Sequence, residues 1–187
     1  MRDMIKKIKT FFNKIHVKFM SNSSYIRYLR AKGVHIGTGC NIHKGVVFGT
    51  EPWLIKIGNN VRITKGVQFI THDGGLWTLR KMGLIDKEAV KYGTIMIGDN
   101  CNISWNVIIM PDVMIGNNCI IAAGAVVTKN IPDGTIWGGI PAKQIETVEE
   151  YHKKVSKIAV PTYSMTEADK KEYLKINCPE LFEKLDH

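Results

Sequence analysis

Residues 97–131 read IGDNCNISWNVIIMPDVMIGNNCIIAAGAVVTKNI. An aliphatic side chain returns at every sixth position: Ile97, Ile103, Ile109, Ile115, Ile121 and Val127. Four residues after each comes a small or compact one, at Cys101, Val107, Val113, Cys119, Ala125 and Ile131. A helix repeats near 3.6 residues and a strand near 2, so neither alone gives this beat. A coil of very short strands joined by corners does, because each strand turns one aliphatic group inward. The stretch therefore predicts an all-β solenoid.

The same beat runs earlier in the chain, through Ile36, Ile42 and Phe48, and again through Ile57, Ile63 and Phe69. Phe48 to Ile57 is a step of nine residues, which predicts a small corner insertion around 49–54. Phe69 to Ile97 is a step of 28, so the chain leaves the coil after about His72 and rejoins near Thr94. A long excursion on a strict repeat is usually a binding loop. The organisation expected is a basic amphipathic helical segment over 1–32, a solenoid over 33–145 with an excursion at 73–94, and a helical tail over 146–187.

The formal charge of +9 over 187 residues is unevenly placed. Residues 1–32 hold nine Lys/Arg and one Asp, whereas 33–142 hold nine basic and seven acidic residues and 143–187 hold eight and nine. The basicity belongs to the N-terminal segment, which argues against a nucleic-acid partner for the chain as a whole. Met4, Ile5, Ile8, Phe11, Phe12, Ile15 and Phe19 follow three-and-four steps between lysines. Such a helix suits a cap on the open end of the solenoid, or contact with an anionic membrane surface. In the tail, 145–157 and 166–184 are expected to be helical, with Thr166 as an N-cap above Asp169.

Cys40, Cys101 and Cys119 fall at register positions and read as core thiols of a reducing compartment. No CxxC pair, secretory leader or membrane-spanning run is apparent, and the expected location is cytoplasmic, at most against the inner face of the membrane. No metal is expected, because His35, His43 and His72 lie in different phases of the repeat. His72 stands apart from the other five histidines, since it sits where the repeat breaks, in the run Phe69-Ile70-Thr71-His72-Asp73-Gly74-Gly75. A histidine titrates near neutrality and suits a general base. The neighbouring Asp73 is a candidate to orient it. Trp77, Arg80, Lys81 and Lys91 on the excursion suit a sugar ring or an anion, or a neighbouring subunit.

The hexads from Ile97 to Pro132, closed by Trp137-Gly138-Gly139-Ile140-Pro141-Ala142-Lys143, resemble the left-handed β-helix acyltransferases over about residues 33–145. Within them the chain is most similar to sugar and polysaccharide O-acetyltransferases related to the maltose, galactoside and nodulation acetyltransferases. The resemblance implies a homotrimer of left-handed parallel prisms, three hexads per coil, with acetyl-CoA as donor and active sites between subunits. His72 matches the family's catalytic histidine. Trp105, Ala123, Thr128, Lys129 and Lys143 match positions lining the CoA channel, and Asp73, Trp77, Arg80 and Asn102 fall on the acceptor side. The chain departs from maltose- and galactoside-type relatives at Asp73, where they have Pro, at Asn102, where they have Trp, and at Gly49 and Thr50, where an acceptor-binding Asn lies. These departures favour a glycan of surface-polysaccharide assembly (capsule, lipopolysaccharide or exopolysaccharide) over a free disaccharide. An aminosugar N-acetyltransferase on a nucleotide-linked acceptor and a non-catalytic scaffold are the alternatives.

Overall fold

The computed structural model describes residues 17–183 and 185. Most strands are two or three residues long, and they assemble into three sheets. The first holds β1 (His35–Ile36), β3 (Ile55–Ile57), β6 (Ile95–Ile97) and β9 (Met114–Ile115). The second holds β2 (Asn41–Ile42), β4 (Arg62–Ile63), β7 (Asn102–Ile103), β10 (Ile120–Ile121) and β12 (Thr135–Gly138), closed by β13 (Lys143–Thr147). The third holds β5 (Gln68–Phe69), β8 (Ile108–Ile109) and β11 (Val126–Val127), with Val47 bridged to Gln68. From β3 to β11 successive strands fall in the first, second and third sheets in strict rotation, so the chain winds as a three-sided coil.

Among the named strands all pairings are parallel except β12 with β13. Ile97 pairs with Ile115, Ile103 with Ile121 and Ile109 with Val127, so each residue rests on the one three hexads further on. Lower in the coil Ile57 pairs with Ile97, 40 residues on instead of 18, and the surplus of 22 is the excursion. Ile36 pairs with Ile57, 21 residues on, a surplus of three absorbed by a 3-10 turn at Pro52–Leu54. Both irregular steps of the repeat are thus corner insertions that leave the strands in register.

The interior is filled by stacked aliphatic side chains from all three sheets and the corners between them. Ile63, Phe69, Ile103, Ile109, Ile121 and Val127 are all fully buried, as are Val61, Val67, Val107 and Ala125. Turning a corner takes a left-handed residue, which side chains other than Gly, Asn and Asp resist. Asn100 (φ 56°), Asn106 (58°), Asp112 (62°) and Asn118 (55°) fill that role, with Gly66 and Gly124 elsewhere. Cys40, Cys101 and Cys119 are buried free thiols.

The coil's first edge is closed by α1 (Asn22–Ala31), capped by Ser21, whose hydroxyl accepts from the Ser24 N–H at 3.2 Å. It buries Tyr25, Ile26 and Leu29 against the core. Two of its polar side chains satisfy backbone groups that an open sheet edge would leave unpaired. The Asn22 amide donates to the Cys40 carbonyl at 2.9 Å and accepts from the Ile42 N–H at 3.1 Å, and Arg30 donates to the Ile36 and Gly37 carbonyls. Among the described residues capping falls to Tyr25, Ile26 and Leu29, which the spacing of the earlier apolar residues did not single out. Phe19, expected on the capping face, is 80% exposed, and Met4 to Ile15 lie outside the described residues.

Beyond the coil, Ile145 belongs to β13 rather than to a helix, because 143–147 pair with the edge of β12. Helix α3 (Val148–Val155) follows. The chain divides into two compact units between Glu150 and Tyr151. The second contains α4 (Glu167–Asn177), whose N-cap Thr166 accepts from the Asp169 N–H at 3.2 Å, and α5 (Glu180–Glu183). Pro179 follows the Asn177 end of α4 and interrupts the helix expected to run on to 184.

The stacked interior leaves little freedom for repacking. Ile103→Ala should destabilise the folded protein by about 2–5 kcal/mol, read from the midpoint of urea unfolding.

Candidate functional site

His72 lies just beyond β5, where the coil opens into the excursion. The two ends of the excursion are zipped together there: His72 forms an antiparallel bridge with Tyr92, the Asp73 N–H donates to the Lys91 carbonyl at 2.9 Å, and the Gly93 N–H donates to the Thr71 carbonyl at 2.9 Å. The histidine therefore stands on the stem of the loop, held on both sides by backbone. Its side chain is 43% exposed.

One coil below, the three-residue corner insertion places Glu51 beneath it. Glu51 Oε2 lies 3.0 Å from His72 Nδ1 and accepts the Thr71 hydroxyl at 2.6 Å, while Oε1 accepts the Thr50 hydroxyl at 2.6 Å. The hydroxyl of Thr50, then that of Thr71, with His72 adding to them, hold the carboxyl well below its usual range, at about 2. An ionised carboxylate can only accept, so Nδ1 carries the hydrogen and Nε2 keeps its lone pair. The arrangement fixes both the ring's orientation and its tautomer.

Asp73 does not do this. Its Oδ1 accepts from the Gly75 N–H at 2.8 Å, a tight turn that starts α2 (Leu76–Lys81). Adjacent residues on an extended segment point apart, and here the orienting carboxylate comes from 21 residues upstream instead. Sequence reading placed a bulge at 49–54 but gave no reason to single out Glu51. The available signal was the surplus of three residues, which sets that corner under the one carrying His72.

On the excursion Trp77 is 60% exposed with the Lys81 ammonium 5.7 Å from its ring centroid. Arg80 donates to the Ala89 carbonyl and so ties the loop to itself. Asn102 lies on β7 of the second sheet, its amide donating to the Ser104 hydroxyl at 3.0 Å. It therefore sits on a different wall from His72.

The residues expected along a donor channel divide between the two edges of the third sheet. Trp105 and Ala123 stack at the corner leading into it, where the Gly124 N–H donates to the Trp105 carbonyl at 2.8 Å. Thr128 and Lys129 lie at the corner leading out, after β11, on the same edge as His72. Lys143 opens β13, and Thr128, Lys129 and Lys143 are all exposed. Trp105 is half exposed. Within one chain the sheet separates these two groups. Among the described residues no three His, Cys, Asp or Glu side chains gather as a metal site, and no helix is long and apolar enough to cross a membrane.

Comparisons with known proteins bear on this geometry. The family described as "Bacterial transferase hexapeptide (six repeats)" matches residues 94–129. Protein CapG of Staphylococcus aureus is 44% identical over 163 residues, covering 86% of this chain and 93% of that protein. The galactoside O-acetyltransferase of Escherichia coli is 34% identical over 128 residues, 64% of this chain and 61% of the enzyme. Among solved structures, a maltose O-acetyltransferase from Clostridium difficile is 26% identical with a TM-score of 0.51, covering 78% of this chain and 85% of that one. A Vibrio cholerae hexapeptide-repeat acetyltransferase complexed with acetyl-CoA superposes with a TM-score of 0.51 at 24% identity, over 72% of this chain and 82% of its own. The chain spans 40% of the length of a Neisseria gonorrhoeae serine acetyltransferase (TM-score 0.46, 28% identity, 60% of this chain).

The depressed Glu51 carboxyl gives a direct test. A carbon-detected NMR titration should place its midpoint near 2, and Thr50→Val should move it up toward the ordinary 4.5. Because the folded value is depressed, the pair's contribution to stability is present above the ordinary carboxylate range and is lost as pH falls through about 2.

Proposed function

The chain belongs to the hexapeptide-repeat bacterial transferases, and from that premise we propose that it moves an acetyl group from acetyl-CoA to a sugar hydroxyl. It is an acyltransferase by family. The observation that carries the finer reading is the Glu51–His72 pair at the mouth of the excursion.

In this reading Nε2 of His72 takes the proton of an acceptor hydroxyl as its oxygen attacks the thioester carbonyl. A tetrahedral oxyanion forms and collapses, the C–S bond breaks, and the CoA sulfur leaves with the proton that His72 returns. Glu51 keeps Nδ1 protonated and stabilises the imidazolium while it lasts. Direct transfer is favoured because no side chain beside His72 resembles a covalent nucleophile. The donor assignment draws on the acetyl-CoA held by the Vibrio cholerae relative. Ala123 leaves room for a slim pantetheine arm, Trp105 and Thr128 border it, and Lys129 and Lys143 meet the nucleotide phosphates.

The division of these residues between two edges of one sheet supports a site completed by a neighbouring subunit. We therefore propose the homotrimer of left-handed coils that the resemblance implies, with Trp77, Arg80, Asp73 and Asn102 near the acceptor. Arg80 and Asp73 would act there mainly by shaping the loop, since both are engaged within it. A glycan intermediate of surface-polysaccharide assembly, met at the inner face of the membrane, is the acceptor class this reading takes.

Calorimetric titration with acetyl-CoA should show saturable binding at one site per subunit. His72→Ala should keep that binding while lowering turnover on an accepted glycan by about 10²–10⁴-fold. Absence of binding by the folded protein would end the transferase reading. Glu51→Gln should lower the plateau of the pH–rate profile, by as much as about 10⁴-fold if the tautomer is lost, without removing its acid limb. That limb cannot belong to Glu51, whose carboxyl titrates near 2.

A further inference from the structure

A cavity of about 800 Å³ opens between α1 and the first coil, within the size range of small-molecule sites. Its walls are Tyr25, Tyr28, Leu29, Val34, Phe48 and Trp53. Apart from the tyrosine hydroxyls and the Trp53 indole N–H, Lys32 and Thr50 supply the polar side chains of its lining. A bare sugar in such a place would lose most of its hydrogen bonds to water with few replacements, whereas hydrocarbon would lose nothing.

Two features say what kind of hydrocarbon. The cavity lies against the catalytic corner: Thr50 and Pro52 line it, and the residue between them is Glu51, held by the Thr50 hydroxyl and bonded to His72. A cation stands at the rim, since Lys32 is exposed with its ammonium 5.6 Å from the Tyr28 ring centroid. An apolar slot with a cation at its rim matches an anion on a long apolar tail.

We propose that this cavity holds the tail of an isoprenyl-phosphate-type carrier, its phosphate beside Lys32, so that the attached sugar reaches His72. The acceptor would then be a lipid-linked glycan rather than a free or nucleotide-linked sugar. The inference rests on the transferase reading for its purpose, but it can be tested apart from it.

The probe is decyl phosphate below its micellar concentration, titrated into the full chain by calorimetry, with butyl phosphate and inorganic phosphate as controls and acetyl-CoA titrated separately. Decyl phosphate should bind at one site per chain, about tenfold or more tighter than butyl phosphate. Trp53→Ala should weaken it about tenfold. Lys32→Ala should weaken it while leaving binding of neutral decanol unchanged. Trp53 and Lys32 are both exposed, and unchanged acetyl-CoA binding certifies the fold of each variant.

Equal binding of decyl and butyl phosphate, or none of either, with acetyl-CoA bound normally, would overturn the inference and leave the transferase reading standing. If decyl phosphate binds only after residues 1–16 are deleted, the cavity belongs to the chain's own N-terminal segment and the inference falls. Decyl phosphate bound by a chain that ignores acetyl-CoA would keep the cavity and sink the transferase reading.

Discussion

The stacking of each residue on its counterpart in the neighbouring coil governs everything else in this molecule. Each sheet sends a column of side chains inward, and the interior they share is filled by branched aliphatics, small side chains, thiols and an occasional phenylalanine. Phe48 and Phe69 show how neighbours in such a column adapt, with rings nearly parallel and centroids 5.1 Å apart. The corners obey the same rule through polar groups. Along one edge the N–H groups of Thr38, Asn59, Asp99 and Asn117 each donate to the side-chain oxygen of the residue one coil on, at 2.7–2.9 Å. The carboxyls of Asp99 and Asp133 are held below their ordinary range, Asp99 first by the Asn59 backbone N–H and Asp133 first by the Asn117 amide. Even the buried thiols join in, Cys40, Cys101 and Cys119 each pointing a weak donor at a carbonyl of the next coil.

The Glu51–His72 pair is a product of that stacking. His72 and Glu51 are not brought together by a special loop conformation; they occupy the same corner in successive coils, as Trp105 and Ala123 do at another. What distinguishes the His72 corner is that both coils carry extra residues there, three at Pro52–Leu54 and a long excursion above it. With both insertions at that corner, the Glu51 carboxylate lies 3.0 Å from the His72 imidazole.

Much of the coil could be read from residues alone, because a period of six reports a one-dimensional constraint. The inward aliphatics from Ile36 to Val127, the corner insertion near 49–54 and the break after His72 all followed from counting. The N-cap at Thr166 was equally visible, being a contact between residues three apart. The relation of Glu51 to His72 was not, since it depends on which corners superpose after two insertions of different length. Asp73 was the natural candidate by proximity in sequence, and proximity misleads where alternate side chains point apart. Ile145 was misread for a related reason: its helical spacing gave way to the open edge of β12, which needed a partner. The capping role of Asn22 and Arg30 was hidden because their partners are backbone groups, which leave no trace in side-chain pattern.

The excursion returns to the coil without disturbing it: Ile57 finds Ile97 just as Ile97 finds Ile115. Divergence in such an architecture can proceed on two clocks. Strand residues are tied to the rungs above and below and must change together, while a corner segment answers only for where it begins and ends. A lineage can therefore lengthen, shorten or exchange the excursion and inherit the histidine, its carboxylate and the neighbouring walls intact. Variation in loop length is confined to one address, and the rungs keep their spacing.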